Sequence, residues 1–429
     1  MSRLTGLLAA GLLALASPVR TQSDPLAGWW DSADPAARAA VATAVVRSRA
    51  SFQAVYRALR DGPPADRMVP TGLLDRVYRA SDGLDHPYQI VVPSAYDPTR
   101  RYPVRFYLHG GVGRAQPGTW KDPEETATPD VIAVFPSGWA QSVWWEWAQV
   151  ETFHAIVAEL ARVYRIDENQ VSLYGQSDGG TGAWYQAFKA PTMWSAYLIL
   201  IGHPAVLANP RFQSSGELFP RNLSHQAFFV ANARNDRLYP SASMMPYVEA
   251  FRRAGATVAF TEKDGDHSVA WMPEERPAMD RFLAAHPRRP LPDTLDWETE
   301  RVDRGNRVSW LVIDELGSEP ARRDAFPGDL FPHRRPAGRV HLERHGNGIV
   351  ARTWNVRRFT VLLSPERIDF ARPVDVAVDG RRVWRGRLTP SVATLLSWAA
   401  RDADRGLLFG AALEITVPEQ GAATVVVRE

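Results

Sequence analysis

The sequence predicts an α/β fold: a mostly parallel sheet with helices on both faces, followed by a C-terminal mainly-β domain. Three observations carry this. Between Tyr88 and Ala285 short apolar runs alternate with helical patterns, as parallel strands joined by crossover helices require. Those runs are continuously apolar, as strands buried on both faces must be. Beyond the Pro/Arg-rich stretch from Pro287 to Pro292, β-like runs take over almost entirely.

Residues 1–16 read as a signal peptide. Arg3 supplies the positive end, Leu4 to Leu15 is apolar but short for a bilayer span, and Ala14-Leu15-Ala16 fits a cleavage site. The expected location is secreted or periplasmic, and with no cysteine after the run a lipoprotein anchor is excluded. Residues 25–75 form a helical N-terminal segment, because Ala36 to Leu59 lacks Pro and Gly and places apolar residues at helical spacing. Pro63 and Pro64 break the pattern.

The α/β domain spans 76–288. Strands are expected at Tyr88 to Val92, Val104 to Leu108, Asp130 to Phe135, Gln170 to Tyr174, Ala196 to Ile201, Ala227 to Ala231 and Thr257 to Phe260. Helices are expected at Phe153 to Tyr164, Gly180 to Lys189, Ser241 to Arg253 and Pro273 to Ala285. Pro287 to Pro292 reads as a linker. In the β-rich domain, 300–429, strands are expected at Val308 to Ile313, Val340 to Glu343, Ile349 to Trp354, Phe359 to Leu363, Val374 to Val378 and Leu413 to Val417. Asp379-Gly380 is a hairpin signal and Ser391 to Arg401 a helix. The expected architecture is a sandwich.

Composition narrows the function. The 429 residues are 45% hydrophobic and 23% charged, enough for large cores. Without cysteine there is no disulfide, thiol nucleophile or thiolate metal site. The formal net charge is +2, Lys121, Lys189 and Lys263 are the only lysines, and no block of like charge stands out. A nucleic-acid partner and stable membrane insertion are not expected.

The chemistry sits in Gly175-Gln176-Ser177-Asp178-Gly179, a G-x-S-x-G pattern between an apolar strand and a Gly-rich helix start, the nucleophile elbow of an α/β-hydrolase fold. A tight strand-to-helix turn lifts the Ser177 hydroxyl above the sheet, and Gly175 and Gly179 leave room for it. A serine hydroxyl needs a base, and the base needs an orienting group. In this fold the chain order is Ser, acid, His. His267, in the Gly-containing loop after the last strand of the sheet, is the candidate base. Asp236, after the strand ending at Ala231, is the candidate acid. Asp264 and Asp266 share the histidine's loop and read as loop-forming or solvated groups. The oxyanion donors are expected from the backbone N–H groups of Asp178 and Gly111, the latter in His109-Gly110-Gly111.

Aromatic residues crowd Trp139, Trp144, Trp145 and Trp147, with Trp271 close after His267. Trp139, Trp144, Trp145 and Trp271 are candidates to line the substrate site; the alternative is that they pack the loop down. Asp402-Ala403-Asp404 resembles a fragment of a calcium loop but lacks the rest, and no metal site is expected. Asn222-Leu223-Ser224 fits a glycosylation pattern by chance.

From Tyr88 to Ala285 the chain resembles secreted bacterial α/β-hydrolases of the polyhydroxybutyrate-depolymerase-like and feruloyl-esterase-like group, bordering the prolyl-oligopeptidase-like peptidases. The resemblance rests on Val92-Pro93-Ser94-Ala95-Tyr96-Asp97-Pro98 before Tyr102-Pro103, on Leu108-His109-Gly110-Gly111, and on Ile166-Asp167-Glu168-Asn169-Gln170-Val171 leading into the Ser177 motif, with Asp236 and His267. It implies hydrolysis of carboxylic esters or peptides through an acyl-enzyme, without a cofactor. Asp178 stands where the peptidase relatives usually carry an aromatic residue, which favours an esterase. A small or polymeric ester is the expected substrate. A serine peptidase and a non-catalytic polymer- or surface-binding protein are the rivals.

Overall fold

A computed structural model describes residues 26–209, 211–212, 214–319, 330–418 and 421–428. The signal-peptide reading lies outside the described residues. The chain opens with helices α1 (Pro35–Arg47) and α2 (Phe52–Asp61). The helical pattern expected from Ala36 to Leu59 is not one continuous helix. Instead Arg49 takes a left-handed φ of 56°, and the Ser51 hydroxyl accepts from Ala54 N at 3.3 Å, capping α2 as a separate helix.

Next come β1 (Gly72–Arg79), β2 (Asp85–Val92), β3 (Tyr102–Leu108), a one-turn α3 (Pro123–Thr126), β4 (Ile132–Pro136), α4 (Trp147–Val163), β5 (Ile166–Gln176), α5 (Asp178–Lys189), β6 (Ala196–Leu200), a one-turn α6 (Ala205–Ala208), β7 (Ala227–Ala233), α7 (Ser241–Arg253), β8 (Thr257–Lys263) and α8 (Met272–Ala285). The expected boundary at 76 falls inside β1, which the helical reading of 25–75 overlooked. As an edge strand, β1 alternates half-buried and exposed positions and leaves Val77 in water.

The eight strands form one sheet in the order β1-β2-β4-β3-β5-β6-β7-β8. β2 is antiparallel to its neighbours β1 and β4, and every pairing from β4 through β8 is parallel. This is the α/β-hydrolase fold. Alternate residues feed two cores: Phe106, Leu173 and Ile199 pack under α4, α5 and α7, and Tyr107, Tyr174 and Leu198 pack under α8 through Met279 and Phe282.

The C-terminal domain comprises β9 (Thr294–Thr299), β10 (Arg307–Val308), β11 (Leu311–Leu316), β12 (Gly338–His345), β13 (Gly348–Trp354), β14 (Val356–Leu363), β15 (Val374–Val378), β16 (Arg381–Gly386), α9 (Val392–Asp402), β17 (Ala411–Thr416) and β18 (Thr424–Arg428). It is a sandwich of two five-stranded sheets, β10-β11-β14-β17-β18 and β16-β15-β13-β12-β9, around one apolar core. The expected strand from Val308 to Ile313 is split at Ser309, which has φ 48°. The N-terminal helices pack on this domain: Val55 and Leu59 meet Leu395, Leu396 and Leu408.

The stretch read as a linker is docked. Arg288 is buried, donates from Nη2 to Asp404 Oδ1 at 2.9 Å, and its backbone N–H bonds Asn169 O at 2.8 Å. Arg405 pairs with Glu168 at the start of β5. Asp402, in the rejected calcium-like fragment, pairs with Arg307. Lys189, the last residue of α5, donates to Glu300 at 3.0 Å, and both are buried. Burial pulls the Lys189 ammonium below its ordinary value, and Glu300 opposes that. Lys189→Met or Glu300→Leu alone is expected to destabilise by about 3–5 kcal/mol in urea unfolding, with the double replacement recovering most of it. Strictly additive losses would show that the two are not coupled.

Candidate active site

β5 delivers Ser177 into a turn with φ 52° and ψ −121°, a backbone conformation costly for a side-chain-bearing residue. The turn closes by contact between main chains. A Cβ on Gly175 would lie 2.1 Å from Gly179 O, and one on Gly179 would lie 2.1 Å from Leu108 O. Ser177 N donates to Leu200 O at 3.0 Å, which binds the elbow to the end of β6. α5 starts at Asp178, whose N–H, at the first helical position, has no intrahelical acceptor.

The loops after β7 and β8 meet in front of this turn. Arg234 N donates to Lys263 O at 2.8 Å and Asn235 N to Gly265 O at 3.0 Å, so the two loops are laced by backbone bonds. His267 lies between Ser177 and Asp236. Its Nε2 is 2.8 Å from Ser177 Oγ and its Nδ1 is 2.7 Å from Asp236 Oδ2. An ionised carboxylate can only accept, so Nδ1 carries the proton and the Nε2 lone pair receives the Ser177 hydroxyl. The Asp236 side chain is fully buried, and its Oδ1 accepts from Leu238 N at 2.8 Å and Tyr239 N at 3.0 Å. Asp264 is exposed and paired with Arg234, and Asp266 is exposed. The carboxylate at Nδ1 is therefore that of Asp236.

The His109-Gly110-Gly111 loop lies opposite. A Cβ on Gly110 would approach Ser177 Cβ to 3.0 Å, so a side chain there would push the loop and the turn apart by a few tenths of an ångström. Gly111 has φ 70°, and among the described residues its N–H has no recorded acceptor. His109 is buried and locks the loop to the end of β4: Nδ1–H donates to Gly110 O at 2.9 Å and Nε2 accepts from Gly138 N at 3.1 Å.

The tryptophans correct an expectation. Trp139, Trp144 and Trp145 are buried, Trp144 completely, and do not line an open site. Trp144 fills the space beside Gly138 and Gly182 and donates from Nε1 to His109 O at 2.9 Å. The Trp145 indole N–H bonds Phe212 O, and Trp139 packs edge-on to His86. Trp271 packs into the core under α8, beside Lys263. Packing, the alternative reading, accounts for Trp139, Trp144 and Trp145, whereas Trp271 is only half-buried.

Tyr239 and Val112 were not singled out from the sequence. The Tyr239 ring stands edge-on to His267 at 5.6 Å, and its hydroxyl is pushed up to about 12, chiefly by burial and then by the Asp178 and Asp236 charges. Val112 N donates to Asp178 Oδ2 at 2.9 Å. Position within the motif loops was the available signal for both.

No family model and no curated protein sequence matches the chain. Among solved structures, a thermostable esterase aligns at 19% identity and a TM-score of 0.40, over 50% of this chain and 63% of its own. A ferulic acid esterase aligns at 17% and 0.40, over 49% of this chain and 97% of its own. Porphyromonas gingivalis dipeptidyl peptidase 4 aligns at 14% and 0.40, over 50% and 36%. The chain thus spans less than two thirds of the first and about a third of the peptidase. At such identities and scores the site must be read from its own geometry.

His109 and His203 beside the site, and His154 and His225 farther off, are all pulled below the ordinary 6.5 by burial. Between the lowered values and 6.5 the unfolded chain binds more protons than the folded one. Their share of stability is therefore full above 6.5 and is lost as pH falls below it. The urea midpoint is expected to be lower at about pH 5.5 than at about pH 7.5; a midpoint that rose on acidification would contradict this.

Proposed function

We propose that the protein is a serine hydrolase that cleaves carboxylic esters through an acyl-enzyme. The observation that carries this is the hydrogen-bonded chain from the Ser177 hydroxyl through both nitrogens of His267 to the buried Asp236 carboxylate, 2.8 Å and 2.7 Å long. His267 takes the hydroxyl proton as Ser177 Oγ attacks the ester carbonyl. Asp236 holds the imidazole's tautomer and stabilises the imidazolium that forms. The Gly111 and Asp178 N–H groups receive the oxyanion. The alkoxide leaves with the proton from His267, and water activated by the same ring then releases the acid.

Ser177→Ala is expected to lower kcat on a p-nitrophenyl ester by roughly 10⁵–10⁶-fold, and Asp236→Asn by roughly 10³–10⁴-fold, with the fold retained. Unchanged turnover in Asp236→Asn would move the orienting role to another carboxylate. A fluorophosphonate is expected to label Ser177 in the folded protein, and absence of labelling would favour a binding protein instead. Faster turnover of a peptide anilide than of the p-nitrophenyl ester would favour a peptidase. Export belongs to the same reading: the mature chain is expected to begin at Ser17, and N-terminal sequencing of protein recovered outside the cytoplasm tests it.

A further inference from the structure

We propose that the Asp178 carboxylate is a positioning residue that sets the distance between the two oxyanion donors; this rests on the reading of Ser177 as nucleophile and of the Gly111 and Asp178 amides as donors. Asp178 contributes to both halves of that site. Its N–H, at the free end of α5, is one donor. Its side chain crosses to the opposite loop, where Oδ2 accepts from Val112 N at 2.9 Å. Val112 follows Gly111 directly and is anchored in the core between the sheet and its helices. One residue thus supplies one donor and clamps the segment that carries the other.

The remaining anchors leave this clamp a distinct task. The His109 ring and the Arg114 guanidinium, at 3.4 Å, both hold Gly110 O, and Arg114 Nε donates to Gly111 O at 3.0 Å. Trp144 holds His109 O from behind. In a trans peptide the C=O and the following N–H point opposite ways in one plane. Fixing Gly110 O therefore fixes the direction of the Gly111 N–H. Trp144 also packs on Gly182 of α5, but of these groups only Asp178 makes a hydrogen bond from the elbow to the loop, and so the Asp178–Val112 bond sets the separation. Gly110 and Gly111 lack the side chains that would stiffen the loop themselves, and Gly111 is held at positive φ.

The test compares full-length wild type, Asp178→Ala and Asp178→Asn with p-nitrophenyl butyrate as substrate and phenylboronic acid as a mimic of the tetrahedral intermediate. Asp178→Ala should leave KM within about twofold and lower kcat roughly 10–100-fold, since a small misplacement of a transition-state donor acts on the rate. The boronate Ki should rise in parallel. Asp178→Asn keeps an oxygen that accepts from Val112 N–H and should recover to within about threefold of wild type. Each variant is first checked for a cooperative unfolding transition, and the Asn variant keeps the comparison interpretable if the Ala variant does not fold. Unchanged kcat and Ki in folded Asp178→Ala, or equal loss in both variants, would overturn the inference. A wild-type protein whose Ser177 neither turns over the ester nor takes a fluorophosphonate would instead overturn the reading beneath it.

Discussion

The site depends on one steric constraint: the main chains of β3, β5 and α5 touch where Ser177 turns. With a Cβ at Gly179 only 2.1 Å from Leu108 O, no side chain fits between the Ser177 turn and the end of β3. That contact brings the His109-Gly110-Gly111 loop against Ser177. A second close approach, Gly180 against Gly202, seats the start of α5 on the end of β6. The strain at Ser177, about 1–3 kcal/mol for such a conformation, is borne by a core in which every residue of α5 after Asp178 is buried.

Around that contact the polar groups are satisfied on the protein side and open on the reacting side. Asp236 has three hydrogen bonds and no exposure, so its charge is directed at one nitrogen of His267. His109 is neutral and uses both nitrogens on backbone groups. Among the described residues the Gly111 N–H has no protein acceptor, and the first N–H groups of α5, like those of any helix start, have none within the helix.

Much of this was legible because it follows from local pattern. The buried strands announce themselves as apolar runs, and the elbow as glycines around a serine between a strand and a helix. The chain order Ser177, Asp236, His267 follows from which strands end at one edge of the sheet. What was missed is non-local. β1 and β18 are edge strands whose alternating burial weakens an apolar run. Arg288 looks solvated until Asp404, far along the chain, is placed beside it. The tryptophans before α4 look like a binding surface, because an indole N–H that bonds a loop carbonyl reads the same in sequence as one facing a ligand.

α5 connects the two halves of the molecule. At one end it presents its free N–H groups and Asp178 to the site; at the other, Lys189 meets Glu300 of the sandwich domain. Arg405 on Glu168 holds the start of β5, again the end opposite Ser177. The sandwich therefore grips the strand and helix that flank Ser177 at their far ends, leaving the turn between them untouched. Twelve residues of α-helix span about 18 Å, and each ion pair joins opposite charges whose fields largely cancel at that distance. The buried pairs thus bear on Ser177 chiefly through the rigidity of α5 and β5, holding the domains together from the far ends of both elements.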